Sequence, residues 1–348
     1  MTGPRKKSAR GTVTNAILIA LALGLLGHVI SKNQDLIGEV FRHKLDLQLL
    51  VLAFLCYFVA KLLTFVRWYW LVRAIEPSFR FDVAIVLGFI GNLFNLLIPG
   101  AIGGDLIKAA YLAKMDVNKT RAIASMVIDR LIGLLGLFIV AGVAGTLAWS
   151  YASVDVRRLI LVVWFAVGLS VPALILIFSQ SLSQICTSLA PSHGRVATII
   201  GDLERMSSIY RQRPGAVAAS FAISLLIQAT FTFSFYLVGK TLFPGQLPSL
   251  GQHLLIVPLI FFTIAVPLPF GAIGLGEEVS EQLFLLVAHP GGALALMGFR
   301  MLMYAGALIS AVLYLINIRQ IGDWTASSRV SIDPRPKNNT TIAQSKPI

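Results

Sequence analysis

The sequence predicts an all-α polytopic membrane protein, with about six full spans plus two re-entrant helical hairpins set in inverted repeats. Three observations carry this. Of the 348 residues 56% are hydrophobic and 13% charged, with a mean hydropathy of +0.80, a balance suited to lipid rather than water. Apolar runs of bilayer length, about 20 residues each, recur from Val13 to Ile318. Two Pro/Gly-rich breaks then interrupt apolar sequence and share one tetrapeptide.

The elements follow in chain order. Residues 1–12 hold Arg5, Lys6, Lys7 and Arg10 and form a basic cytoplasmic tail. The run after it, near 13–31, is long for a signal peptide and lacks a clear A-x-A cleavage site, so it is a retained helix. Further full spans are expected near 46–67, 124–149, 158–178, 215–239 and 292–318, within one membrane domain, 13–320. Residues 82–98 and 253–268 differ: each runs into a break and then a more polar helix, 105–115 and 277–288. The linker 179–214 contains an amphipathic stretch, 195–213, suited to the membrane surface. Residues 321–348, rich in Ser, Thr, Asn, Pro and Lys, read as a disordered polar tail.

The first break reads Ile98-Pro99-Gly100-Ala101-Ile102-Gly103-Gly104-Asp105 and the second Pro267-Leu268-Pro269-Phe270-Gly271-Ala272-Ile273-Gly274-Leu275-Gly276-Glu277. Each sits between a long helix and an acid-led helix, which defines two repeats, about 46–149 and 215–318. Charge counting sets their orientation. With both breaks as re-entrant hairpins, 20 of the 29 Lys and Arg fall inside, 6 outside and 3 in the membrane; with full spans the split is 15 to 11. The hairpin arrangement obeys the positive-inside rule better and inverts the repeats, with both termini in the cytoplasm.

Composition also narrows function. The net charge of +13 lies in termini and connections rather than on an aromatic-interleaved face, which points to anionic membrane lipids and away from nucleic acid. Cys56 and Cys186 and five scattered His suggest neither disulfides nor a metal site, and no cofactor is expected. There is no nucleophile elbow, P-loop, zinc signature or dinucleotide fingerprint, so the reading leans away from an enzyme.

Non-helical backbone at membrane depth survives only where protein or a polar cavity satisfies it, so the breaks mark the candidate site. Helices beginning near Asp105 and Glu277 would aim positive N-termini toward the membrane middle, an anion site, unless those acids act as caps. Glu281 lies one turn after Glu277, with Glu278 beside it. Asp129-Arg130 and Arg300 stand at similar places in the two repeats, where each Arg could neutralise a hairpin carboxylate or bind a lipid phosphate, while Asp129 and Arg130 also fit a structural pair. Asn92 and Asn95 suit support of the freed backbone or contact with a ligand. Lys61 and Arg67 are expected to snorkel to the cytoplasmic interface.

The stretch Asn92-x-x-Asn95-x-x-x-Pro99-Gly100-x-x-Gly103-Gly104-Asp105, followed by Ser125-x-x-x-Asp129-Arg130, resembles the lysylphosphatidylglycerol synthase transmembrane region family. Pro269-x-Gly271-x-Ile273-Gly274-x-x-Glu277 is similar to that family's second signature, and the likeness covers about residues 15–320. In its best-known members this region is a lipid flippase joined to a soluble domain that moves an aminoacyl group from tRNA to phosphatidylglycerol. Because this chain ends in a short tail, the resemblance implies a standalone flippase-like protein, expected in a bacterial plasma membrane. The family's hairpin residues then correspond to Pro99, Gly103, Gly104, Asp105, Asp129, Arg130, Gly271, Gly274 and Glu277. The register between the two hairpins stays open, since Leu275 and Gly276 separate Gly274 from its acid and Glu278 competes for the role.

The leading expectation is a transporter or flippase of an anionic lipid or lipid-linked headgroup, acting through the facing hairpins. The alternatives are a membrane enzyme that uses the same carboxylates on a lipid or polyprenyl-phosphate substrate, and a non-catalytic scaffold. An oligomer is compatible with the sequence.

Overall fold

A computed structural model describes residues 45–97, 103–114, 119–179, 207–245, 247–266 and 272–330, together with 31, 34 and 38. The expected span at 13–31, Pro99, Gly271, the linker from 180 to 206 and the tail after 330 lie outside the described residues. Those described are helical with no strand, and five helices are long and apolar enough to cross a membrane. The chain is an all-α polytopic membrane protein.

The helices are α1 (Leu47–Ile75), α2 (Phe81–Leu97), α3 (Gly103–Lys114), α4 (Lys119–Leu147), α5 (Val154–Phe178), α6 (Pro214–Leu242), α7 (Leu250–Ala265), α8 (Leu275–Leu286) and α9 (Gly292–Val330). Their ends follow local chemistry. Asp46 caps α1 by accepting the N–H groups of Gln48 and Leu49 at 3.0 and 3.1 Å. Pro77 disfavours helical backbone at Glu76, so α1 stops at Ile75, two turns past the expected end at 67. Pro214 occupies the first turn of α6, and Ser249 with Gln252 forms a capping box on α7. The last helix continues to Val330, past the expected end at 318 and into the segment read as a polar tail. Residues 207–212 of the expected amphipathic stretch are helical, and the Tyr210 hydroxyl donates to the Leu71 carbonyl at 3.0 Å, fastening that stretch to α1.

Among the described residues two groups of four helices follow one order. α1 to α4 have 29, 17, 12 and 29 residues, and α6 to α9 have 29, 16, 12 and 39. Asp105 lies in the first described turn of α3 and Glu277 in the first turn of α8. Packing between the groups is reciprocal: α1 lies on α6, α2 on α9 and α7 on α4. α1 and α6 run antiparallel, because Ser234 donates to the Ala53 carbonyl at 2.7 Å at one end while Arg67 reaches Ser224 at 3.1 Å at the other. Between these points the Tyr57 and Phe231 rings meet at 5.8 Å, and Phe235, Phe261 and Phe299 complete an aromatic core. Outside the two groups α5 packs on α4 and leaves Phe165 and Leu169 exposed, as a lipid-facing helix should.

Close backbone approach fixes the first broken helix pair. A side chain at Gly104 would strike the Gly91 carbonyl, so α3 rests directly on α2. In the second pair the chain enters α8 through Ala272 and Gly274 at φ 55° and 85°, a left-handed turn that glycine permits readily.

Gly104→Ala should therefore push α3 from α2 and lower the apparent melting temperature of the detergent-purified protein, at an overpacking cost of about 1–3 kcal/mol. Gly168→Ala, whose added carbon meets nothing within 4 Å, should not lower the melting temperature.

Candidate functional site

Three arginine–carboxylate pairs hold the interior together. Arg67 of α1 grips Asp129 of α4 with both ends of its fork, Nε to Oδ1 at 2.8 Å and Nη2 to Oδ2 at 3.0 Å. Its Nη1 donates to Ser224 Oγ on α6 at 3.1 Å, and Ser224 in turn donates to the Ile132 carbonyl. Gly133 leaves room for this guanidinium, since a side-chain carbon there would sit 3.1 Å from Nη1. One arginine thus joins three helices. The expectation that Arg67 snorkels is overturned, because it is 5% exposed and committed to partners within the helix bundle.

The second pair joins Arg130 Nε of α4 to Asp105 Oδ2 of α3 at 2.7 Å. The Nζ of Lys108 approaches the other oxygen of Asp105 at 3.7 Å and stands 5.0 Å from the centre of the Trp68 ring. Asn95 accepts the Gly104 N–H at 2.9 Å, which satisfies the start of α3, and Asn92 donates to Ser310 on α9 at 3.0 Å. Backbone support is thus the observed work of Asn95, while Asn92 links α2 to α9. Gly103 lies buried at the first position of α3.

The third pair repeats the second in the other group. Arg300 of α9 donates through Nε to Glu277 Oε1 at 2.6 Å, while Glu277 Oε2 accepts the Gly274 N–H at 2.7 Å. Glu277 is therefore both a cap and an arginine partner, and it is 1% exposed. Glu281 accepts the N–H groups of Gly291 and Ala293 at 3.2 and 3.0 Å, which caps the entry to α9. Both of its oxygens accept backbone N–H groups. One N–H at each short-helix start is taken: Asn95 accepts that of Gly104, and Glu277 accepts that of Gly274, the N-cap of α8.

A cavity of about 580 Å³ opens among α1, α4, α6, α7 and α9 at the end of α2. Its polar wall carries Lys61, Arg67, Arg130, Asn95, Thr64 and Gln228, and its apolar wall includes Tyr57, Phe231, Phe261, Phe262 and Phe299. No carboxylate is among the described residues that line it. Of the sequence-derived candidates, Asn95 and Arg130 reach this wall, and Asp105 stands behind Arg130. Asn92, Asp129, Gly274, Glu277, Glu281 and Arg300 do not line it; the second broken pair contributes Ile264, Ala265 and Val266 instead.

Lys61, Arg67 and Gln228 were not anticipated as site residues. Position could have found the first. Lys61 is the middle residue of the 29 in α1, about 21 Å of helix from either end. Its Nζ lies 5.9 Å from the centre of the Tyr57 ring, and among the described residues no carboxylate is within 4 Å of it.

Comparison with known proteins identifies the family. A sequence model of the lysylphosphatidylglycerol synthase TM region matches residues 14–311. A UPF0104 membrane protein of Pyrococcus horikoshii is 22% identical over 270 residues, which cover 70% of this chain and 78% of that protein.

Removing one member of a buried pair strands its partner's charge, at about 3–5 kcal/mol. Arg300→Met should thus lower the melting temperature strongly, and adding Glu277→Gln should restore most of the loss. A double variant as unstable as the single one would show that Arg300 acts through packing rather than charge.

Proposed function

The chain belongs to the lysylphosphatidylglycerol synthase TM region family, and from that premise we propose that it moves an anionic lipid or lipid-linked headgroup between the two leaflets of its membrane. The observation that carries the reading is the cavity, with cations on one wall and aromatic rings on the other. A phosphate-bearing headgroup suits the first and the start of a lipid tail the second. The volume falls within the roughly 300–1,000 Å³ of sites that enclose small molecules, enough for a headgroup with its tails left toward lipid.

The pairing of the carboxylates favours transport over enzymatic use of the same groups. Asp105, Asp129 and Glu277 each face an arginine, and Glu281 faces two backbone N–H groups. A general acid or base needs a carboxyl free to exchange its proton at the substrate.

In this reading α2–α3 and α7–α8 are re-entrant hairpins of two inverted repeats. Antiparallel α1 and α6 and the reciprocal packing support it. An inverted pair around a central cavity lets the same residues meet either leaflet in turn.

Two measurements test the proposal. In proteoliposomes, wild type should carry a fluorescent phosphatidylglycerol to the inner leaflet, out of reach of added dithionite. Leu134→Trp, which fills the cavity wall, should slow this about tenfold or more, whereas Leu147→Trp at the exposed end of α4 should not. A Leu134→Trp variant as fast as wild type would remove the cavity from the path. For topology, Lys114→Cys and Lys240→Cys in a Cys56→Ser, Cys186→Ser background should label only from the cytoplasm and only from outside, respectively. The opposite sidedness would replace the hairpins with full spans.

A further inference from the structure

Resting on the transport reading, we infer that the cavity selects a phosphate ester whose headgroup carries a free hydroxyl, with the phosphate held at Lys61 and the hydroxyl at Gln228. The argument starts from charge. Lys61, Arg67 and Arg130 line the polar wall and Lys108 stands behind it at Asp105, while Asp105 and Asp129 are the carboxylates paired among them. Four cations face two anions. Arg67 and Arg130 each hold a carboxylate and Lys108 shares Asp105, whereas among the described residues Lys61 has no carboxylate within salt-bridge distance and lies against the Tyr57 ring. It lies within electrostatic reach of both Lys108 and Asp105, and the repulsion from Lys108 outweighs the attraction of Asp105, which Arg130 already holds. An ammonium away from bulk water calls for a counter-charge, and a phosphate entering the cavity supplies one.

The second observation is an acceptor with nothing to accept. Gln228 is 9% exposed, lines the same cavity, and its Oε1 is buried without a hydrogen-bond partner. Such an atom bears a desolvation cost until a donor arrives. The antiparallel register of α1 and α6 sets Tyr57 against Phe231 and Arg67 against Ser224, which brings Lys61 level with Gln228 between those contacts. A ligand bound at Lys61 is therefore beside Gln228.

Donors on lipid headgroups are ammonium or hydroxyl. The surplus positive charge disfavours an ammonium, above all on a headgroup whose net charge is positive. A hydroxyl near the phosphate satisfies both observations. A glycerol phosphodiester and a polyprenyl phosphosugar share this chemistry.

The test is equilibrium binding to the purified full chain in detergent, read by native mass spectrometry. The probes are phosphatidylglycerol, phosphatidylmethanol with the same acyl chains, lysylphosphatidylglycerol and a polyprenyl phosphohexose. Wild type should bind phosphatidylglycerol about threefold or more tighter than phosphatidylmethanol, as one neutral hydrogen bond implies, and lysylphosphatidylglycerol most weakly. Lys61→Gln should weaken both anionic diacyl lipids about tenfold or more, and Lys61→Arg should retain them. Gln228→Leu should bring phosphatidylglycerol down to the level of phosphatidylmethanol and leave the latter unchanged. Tighter binding of the polyprenyl probe assigns the tail to that source, and weaker binding assigns it to a diacyl lipid; a hydroxyl-dependent affinity in either arm supports the inference. Equal affinity for phosphatidylglycerol and phosphatidylmethanol in wild type, or preference for the lysylated lipid, overturns it. Binding is read without transport. A protein that binds with the expected profile yet moves no lipid thus refutes the transport reading alone, whereas one that moves lipid without this selectivity refutes the headgroup assignment.

Discussion

A guanidinium cannot stay unpaired inside a lipid-embedded protein, and the architecture of this chain depends on that constraint. Charges at bilayer depth cost several kcal/mol each unless matched in position and hydrogen bonding. Arg67 meets the demand with a bidentate carboxylate and a serine, and in doing so ties α1, α4 and α6 at one level. Arg130 and Arg300 meet it with the acids that open α3 and α8. Each broken helix pair is thereby fastened to the long helix that follows it. The fixed position of each short helix thus owes as much to electrostatics as to packing.

The same constraint explains what was legible in the sequence. Hydropathy marked the described spans and both breaks, and the intramembrane acids implied cationic partners. Arg130 and Arg300 were within reach of that reasoning because each follows its acid by one helix. Arg67 was not, since Asp129 and Ser224 stand far along the chain and an apolar helix shows no face that must meet protein. Its apolar continuation through Trp68–Ile75 also lay past the expected end of the span, so the residue looked interfacial. Lys61 was hidden by the same bias toward snorkelling. Boundaries shifted for local reasons, such as Pro77 ending α1.

Identical motifs do not do identical work in the two groups. The side chain of Arg130 is 36% exposed and faces the cavity, while that of Arg300 is 8% exposed and sealed. Glu277 turns one oxygen back to its own helix start, whereas Asp105 divides its oxygens between an arginine and a lysine. The helix starts themselves carry about half a charge each. With the Gly104 and Gly274 N–H groups already taken by Asn95 and Glu277, their pull on a ligand is further reduced. Attraction for an anion therefore moves from helix dipoles to side-chain cations, and from both groups to one.

That shift bears on how a cavity of this kind would work. A site lined by free N–H groups would hold a phosphate through many short, fixed bonds and release it slowly. Here two of the wall cations, Arg67 and Arg130, are partly compensated by Asp129 and Asp105, and Lys61 sits on a flexible stem over an aromatic ring. The attraction is a modest surplus of charge rather than a closed cage. A ligand in transit needs that balance, bound well enough to leave water and loosely enough to leave the protein. The carboxylates behind the arginines set it, because they fix how much of each positive charge the cavity receives.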